Sequence, residues 1–359
     1  MTWRFHLQDV PSGVWRDRDL QLLGASVTTA VSTPADIKGS LALGDPSGAF
    51  VKEWGSLIVA EQEGRDPVCA IVDHVSVDGD MLTIEAGGFS MYPTGTPWLA
   101  ADFAGIDVDP LEMVRKIWGE VQAYEGGDLG VVVDPLASPV RIGKPEKETS
   151  FTTGDGEDVA FTSGPFRLAW WSTEDLGKVF NDLASSTPFA YMERSTWDGD
   201  DLKHRLQLGY PSIGDRKQDL RFEIGVNVTA TPSVDETGYA SEILLLGAGD
   251  GSARIKADRL TTPTDRLRRV HVATDKSLKS KTAANAAARP ILASFNPTQT
   301  IESLEVIDHD SAPYGSYEPG DVIFVQGDAG WADLALWVRI HEIAIDCVTG
   351  SMSLKVGAE

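Results

Sequence analysis

The feature that most constrains this chain is the order of its parts. Sequence patterned for β-strands lies at both ends, and helix-patterned sequence lies between. The chain opens with Met1-Thr2-Trp3-Arg4-Phe5-His6-Leu7, read as a short strand with no leader before it. It closes with residues 332–343 and 349–356, which read as a terminal hairpin. Alternation of Trp3, Phe5 and Leu7, and of Ile37, Leu41 and Leu43, marks half-buried strands. Leu57-Ile58-Val59-Ala60 and Cys69-Ala70-Ile71-Val72 are short unbroken apolar runs. Asp78-Gly79-Asp80 sits between two apolar stretches and predicts a tight hairpin, because Asp-Gly tolerates the positive φ such a turn demands. A related Asp198-Gly199-Asp200 follows in the middle.

Three helices are expected. At the first, Asp109 caps, Pro110 takes the opening position and Glu112 meets the dipole, with Leu111, Val114, Ile117 or Trp118, and Val121 on one face. The second begins after Ser172, where Asp175 completes a capping-box pattern, and carries Leu176, Val179, Phe180 and Leu183. The third, rich in Ala, runs near 276–289, capped by Asp275 and ended by Pro290. Residues 143–164 are polar and read as a surface loop or arm.

A length of 359 residues suggests about two to three domains. The apolar fraction of 42% and ten Trp exclude a disordered chain. No run approaches the ~18 apolar residues of a membrane span, and no signal peptide precedes the first strand, so synthesis in a cytoplasm is expected. Cys69 and Cys347 form neither a disulfide framework nor a metal spacing; two reduced, buried thiols are expected, with a disulfide as the alternative.

The net charge of −23 excludes a generic nucleic-acid binder, which needs Lys and Arg for phosphates. An acidic wall can instead let a polyanion slide past; the plain alternative is that acid keeps the protein in solution. The charge is uneven. Between Gly251 and Pro290 stand ten cations against three anions. Arg254, Lys256, Arg259, Arg266, Arg268, Arg269, Lys276 and Lys279 form a candidate partner-binding patch, with a solvated face as the plain alternative.

No cluster reads as a catalytic, cofactor or metal site. The glycines of Leu246-Gly247-Ala248-Gly249-Asp250-Gly251 are misplaced for a dinucleotide loop, and a hairpin turn is expected. Cys69 and His74 point to opposite faces of one strand. Asp308-His309-Asp310 lacks a further ligand for a metal, and His341-Glu342 sits in a strand pattern without the second His of a zinc protease. Glu302, Glu305, Asp198, Asp200 and Asp201 are too many acids to single out a glycosidase pair. Trp170-Trp171, Trp331 and Trp337 suit core or subunit packing, with a sugar-stacking platform as the alternative.

The order and spacing of Trp3-Arg4-Phe5-His6-Leu7, the helix after Asp109, Trp197-Asp198-Gly199-Asp200, residues 204–211 ending in Gly209-Tyr210-Pro211, Gly247-Ala248-Gly249-Asp250-Gly251, Tyr317-Glu318-Pro319-Gly320-Asp321-Val322 and Val338-Arg339-Ile340 resemble the minor tail proteins of long-tailed actinobacteriophages. The baseplate-hub, tail-tip type is the nearest in kind. The resemblance implies an α+β, predominantly β fold: two tube-like barrel or sandwich domains, at 1–97 and 239–359, the latter with one helix. A helix-containing insertion at 98–188 and a β-rich connector at 189–238 lie between them. It further implies a homotrimer that surrounds the DNA-exit channel in the virion's tail tip. The partners implied are the tail tube and distal tail proteins, other minor tail proteins and the tape measure protein, with viral DNA passing unbound and no membrane. Relatives with lysin or fibre activity extend further; this chain stops at Glu359, so a structural protein rather than an enzyme is expected. The alternatives are a tail-associated cell-wall hydrolase and a host receptor- or glycan-binding tip protein.

Overall fold

The computed structural model describes residues 2–10, 12–152, 158–236, 239–249, 251–262, 266–295, 299–330 and 332–359. In chain order the strands of the first third are β1 (Trp3–Asp9), β2 (Trp15–Leu20), β3 (Leu23–Ala30), β4 (Asp36–Ala42), β5 (Ser56–Gln62), β6 (Val68–Asp78) and β7 (Met81–Gly88). The middle holds β8 (Phe103–Gly105), α1 (Pro110–Gln122), β9 (Val131–Val133), β10 (Lys147–Thr152), β11 (Asp158–Ser163), β12 (Phe166–Leu168), α2 (Leu176–Ser186), β13 (Ala190–Asp198), β14 (Asp201–Gly209) and β15 (Phe222–Glu223). Then come β16 (Val234–Glu236), β17 (Glu242–Leu246), β18 (Leu260–Thr261), β19 (Val270–Thr274), α3 (Lys281–Ser294) and β20 (Gln299–Ile301). The chain ends with β21 (Ser303–Val306), β22 (Val322–Asp328), β23 (Asp333–Asp346) and β24 (Met352–Ala358). The fold is α+β and predominantly β.

The chain divides into two compact units. Unit 1 takes Met1–Lys147, Ser163–Pro232 and Glu302–Glu359; unit 2 takes Glu148–Thr162 and Ser233–Ile301. In unit 1, strands from both chain ends share one 12-stranded sheet, ordered β2-β1-β5-β6-β7-β4-β3-β23-β22-β15, with β24 on β23 and β21 on β24. The join is the β3–β23 ladder, where Val27 faces Ile345 and Ala30 faces Glu342.

The unbroken apolar runs have a direct cause. On β5 and β6, Leu57, Val59, Cys69 and Ile71 pack toward the helices α1 and α2. Their neighbours Ile58, Ala60, Ala70 and Val72 pack on the opposite side with Phe5, Leu7, Val27, Ile37, Leu41 and Ile84. A strand buried on both faces has no polar face to alternate with. The hairpin read at Asp78-Gly79 forms, and Asp198-Gly199 makes a second one. Asp78 pairs with Met81 and Asp198 with Asp201, and Gly79 and Gly199 take φ of 61° and 66°.

Helix α1 matches its reading. Asp109 Oδ1 accepts from the Leu111 N–H at 3.0 Å, and Leu111, Val114, Ile117, Trp118 and Val121 are buried. Helix α2 is capped by Asp175, whose Oδ1 accepts from the Lys178 N–H at 3.1 Å, rather than by Ser172. The Ser172 N–H is taken up in a turn on the Ala169 carbonyl.

The structure corrects four expectations. The supposed domain 239–359 is not one body: residues to 301 fall in unit 2, while 302–359 joins the N-terminal strands through β3. Segment 189–238 is no mere connector, because β14 pairs with both β13 and β9, and the two strands bury Tyr191, Leu206 and Leu208 against both helices. Within 143–164, read as a loop or arm, β10 and β11 pair as a two-stranded sheet, and 153–157 lie outside the described residues. Helix α3 starts after Ser280, whose Oγ accepts from the Ala283 N–H at 3.2 Å, and runs through Pro290 to Ser294.

Candidate functional site

The basic patch lies wholly in unit 2. There β18, β17 and β19 form a three-stranded sheet. Ile243 and Leu245 of β17 pack against Ala284, Ala288 and Leu292 of α3. Alternation then turns Glu242 to the other face of the sheet, paired across from Val270. Two of the cations converge there: Arg268 Nε and Arg259 Nη2 reach Glu242 Oε2 at 2.7 and 3.0 Å. The hydrogen bond from Arg268, then that from Arg259, outweighs desolvation and draws the Glu242 carboxyl down to about 2. Both guanidinium groups are thus engaged by one carboxylate within the unit, which offsets one of their two charges.

The other predicted residues divide in two. Arg254 Nε donates to the Gly247 carbonyl at 3.3 Å, and the Arg266 guanidinium stands 5.3 Å from the Tyr239 ring centre. Nearby, Lys281 pairs with Asp258 at 2.6 Å. Lys256, Arg269, Lys276 and Lys279 are exposed and meet no acidic side chain among the described residues. These four carry the charge that a partner would meet. Beside them Leu267, Val270 and Val272 are 88%, 39% and 55% exposed, the last two on edge strand β19. Cations flanking an exposed apolar edge make a surface suited to an acidic protein partner. After β17 the Gly247 N–H donates to the Ile255 carbonyl and the Ile255 N–H to the Ala248 carbonyl, each at 2.8 Å, and Asp250 lies outside the described residues.

The Trp pair was read as packing, and the structure places it outside the core. Trp170 and Trp171 are 66% and 58% exposed, with Leu99 exposed in the adjoining segment. Two contacts hold the segments together: Trp171 Nε1 donates to Asp102 Oδ2 at 3.2 Å, and the Trp98 N–H to the Thr173 carbonyl at 3.0 Å. Trp337 is half-buried against Phe324 and Arg216, and Trp331 lies outside the described residues.

One polar pair escaped the sequence reading. Ser195 Oγ and His204 Nδ1 lie 2.9 Å apart across the β13–β14 ladder. Counting back equally from the Asp198–Asp201 pair brings these two residues opposite each other, so the signal was present. Ser195 is buried, and burial pulls His204 down to about 4, leaving a neutral ring with no carboxylate bound to it among the described residues. Burial likewise pushes the Cys69 thiol up to about 12. Cys69 and Cys347 are both free thiols.

The remaining candidates do not gather into a site. His309 Nδ1 lies 2.9 Å from Ser311 Oγ, and Asp308 accepts from the Tyr314 N–H at 2.7 Å. Glu302, Glu305, Asp198, Asp200 and Asp201 are exposed. Among the described residues no three His, Cys, Asp or Glu gather as a metal group, and no helix is long and apolar enough to cross a membrane.

No protein-family model matches the chain, and no curated protein matches it. Solved structures do. The fold is similar to a 43 kDa tail protein of prophage MuSo2 from Shewanella oneidensis, with TM-score 0.56 and 13% identity over 99% of this chain and 97% of that one. It is similar to prophage tail protein gp18 from Listeria monocytogenes, with TM-score 0.54 and 11% identity over 99% and 94%. A tail protein from Neisseria meningitidis gives TM-score 0.52 and 12% identity over 100% and 97%. The chain therefore has, along its whole length, a fold found in prophage tail proteins.

Proposed function

We propose that this chain is a structural component of a phage tail, and within the tail a tip hub of a long-tailed phage of actinobacteria. The carrying observation is the end-to-end likeness in fold, covering 94–100% of both chains, to tail proteins from three bacteria. In this reading the protein is a homotrimer in the virion, continuing the tail tube around the channel through which DNA leaves. A trimer presenting repeated β surfaces would bridge a six-fold tube and a three-fold tip. The excess acid outside 251–290 would line the channel and repel DNA without holding it. Lys256, Arg269, Lys276 and Lys279 would meet an acidic neighbour: the tail tube, a distal or other minor tail protein, or the tape measure protein. The role needs no catalysis, cofactor or membrane.

Electron cryomicroscopy of the particle tests this. A three-fold ring with an open, acid-lined channel at the tail tip is expected; a peripheral position away from the channel would overturn the hub role. The exposed Trp170-Trp171 pair favours one further reading, a tip protein that stacks on host-surface glycans. Pull-down on host cell-wall glycan separates the two, since only that reading requires retention that is lost in Trp170→Ser/Trp171→Ser.

A further inference from the structure

The Arg65 guanidinium, in unit 1, makes no hydrogen bond or ion pair with any described residue, and its Nη1 is buried. Two neighbours share this condition: Trp3 Nε1 and Gln62 Oε1 are also buried without a partner. The three come together through the backbone. Trp3 stands opposite Gln62 in the β1–β5 register, and the Arg65 N–H returns to the Gln62 carbonyl at 3.2 Å. All three line one cavity of 340 Å³. Arg65 is held in place there, with its guanidinium carbon 3.7 Å from the Tyr314 ring centre. Gly315, at φ 99°, lies so near that a Cβ would stand 3.1 Å from that carbon.

The other charges on this wall are already engaged. Glu318 takes a two-pronged bond from Arg194 at 2.6 and 2.8 Å. Glu193 accepts from the N–H groups of Ala35 and Ser90 at 3.0 and 2.5 Å. Asp66 is exposed to solvent. What remains is a charged donor, an indole donor and an amide that can turn its NH₂ inward. A buried guanidinium nitrogen without an acceptor is unfavourable, and a planar or tetrahedral oxyanion supplies the acceptors its geometry suits. An apolar guest would leave all three groups unsatisfied, and a cation would face Arg65.

We propose that this cavity is a receptor for an oxyanion, a phosphate or carboxylate group, seated on Arg65, Trp3 and Gln62. The site is independent of the tail role proposed above. The test is isothermal titration of the full chain with inorganic phosphate and with acetate, each against chloride at matched ionic strength, backed by thermal melts. Saturable binding and a rising melting temperature are expected, both lost in Arg65→Gln. Trp3→Phe keeps a ring beside Phe5 but removes the indole N–H, and should weaken binding about tenfold; it decides the matter if Arg65→Gln fails to fold. A response to phosphate alone marks a phosphate site, and a response to both marks a site open to carboxylates. No response to either anion, or an unchanged response in the variants, would mean the cavity holds water, and would overturn the proposal.

Discussion

Glu242 takes two guanidinium groups on one oxygen, and the direction of its shift sets a pH dependence. Its folded pKa, about 2, lies below its ordinary 4.5, so the unfolded chain binds the proton first. The stability this carboxylate contributes is present above about pH 4.5 and is lost as pH falls toward about 2. Melts of wild type and Glu242→Gln across that window should show the steeper loss in wild type; parallel curves would count against the clamp. His204 runs the same way for a different reason. Burial holds its folded pKa near 4, below its ordinary 6.5, so folding is opposed increasingly as pH drops from about 6.5 to about 4. Its ring resonances should titrate with a midpoint near 4 by NMR, and a midpoint near 6.5 would mean a solvated ring.

At the scale of elements, burial decides what local signals leave ambiguous. Trp118 of α1 is 1% exposed and packs edge-on to Phe89, 6.1 Å between ring centres. Trp118→Ala should cost about 3–5 kcal/mol in chemical denaturation, since such a cavity collapses only in part. Helix α3 shows the opposite case, where a strong local signal loses. Pro290 reads as a stop, and Asp275 as a start. Yet Ala284, Ala288 and Leu292 repeat every four residues, and all three are buried against β17. Ending the helix at Pro290 would unpack Leu292, which is 3% exposed. The helix therefore continues despite the missing N–H. Pro290→Ala should stabilise the chain by about 2 kcal/mol, the helix preference of ~3 kcal/mol less the greater freedom of the unfolded chain. Loss of stability in that variant would show that the proline is favourable where it stands.

For the whole molecule, the informative surface is the one the fold does not need. Trp170 and Trp171 stand out from unit 1, so replacing both with Ser should change stability by no more than about 0.5 kcal/mol per site in denaturant melts. The same variant should fail to assemble into tail particles, or fail to bind glycan, because an exposed Trp pair is suited to a partner's surface. Normal particles and normal binding would leave the pair without a role. The cations of unit 2 belong to this scale too. The candidate patch holds eight, but only Lys256, Arg269, Lys276 and Lys279 stand exposed without an acidic side chain among the described residues. A salt-sensitive partner contact should depend on these rather than on Arg259 or Arg268.

Signals that act within a few residues were legible in the chain itself. Asp-Gly placed the hairpin at Asp78, and the same dipeptide at Asp198 carried the signal, not drawn from the sequence, that sets Ser195 opposite His204. Asp109-Pro110 placed α1, and the unbroken apolar runs at 57–60 and 69–72 marked short strands, whose burial on both faces the structure showed. The basic cluster was legible as composition. Its pairing was not, because Arg259 and Arg268 lie 17 and 26 residues from Glu242 and meet it only once β17, β18 and β19 are aligned. The cavity of Trp3, Gln62 and Arg65 likewise needs the Tyr314-Gly315 segment, some 250 residues away, to hold the guanidinium. The sequence alone determined the strands of the first third, the Asp-Gly turn at Asp78 and the start of α1, since those preferences come from neighbouring backbone and side-chain sterics. Only the tertiary structure decided that β3 would pair with β23 and that 233–301 would fold apart from the strands that follow it. Such pairings are selected by joint burial and register over the whole chain, and no local pattern encodes them.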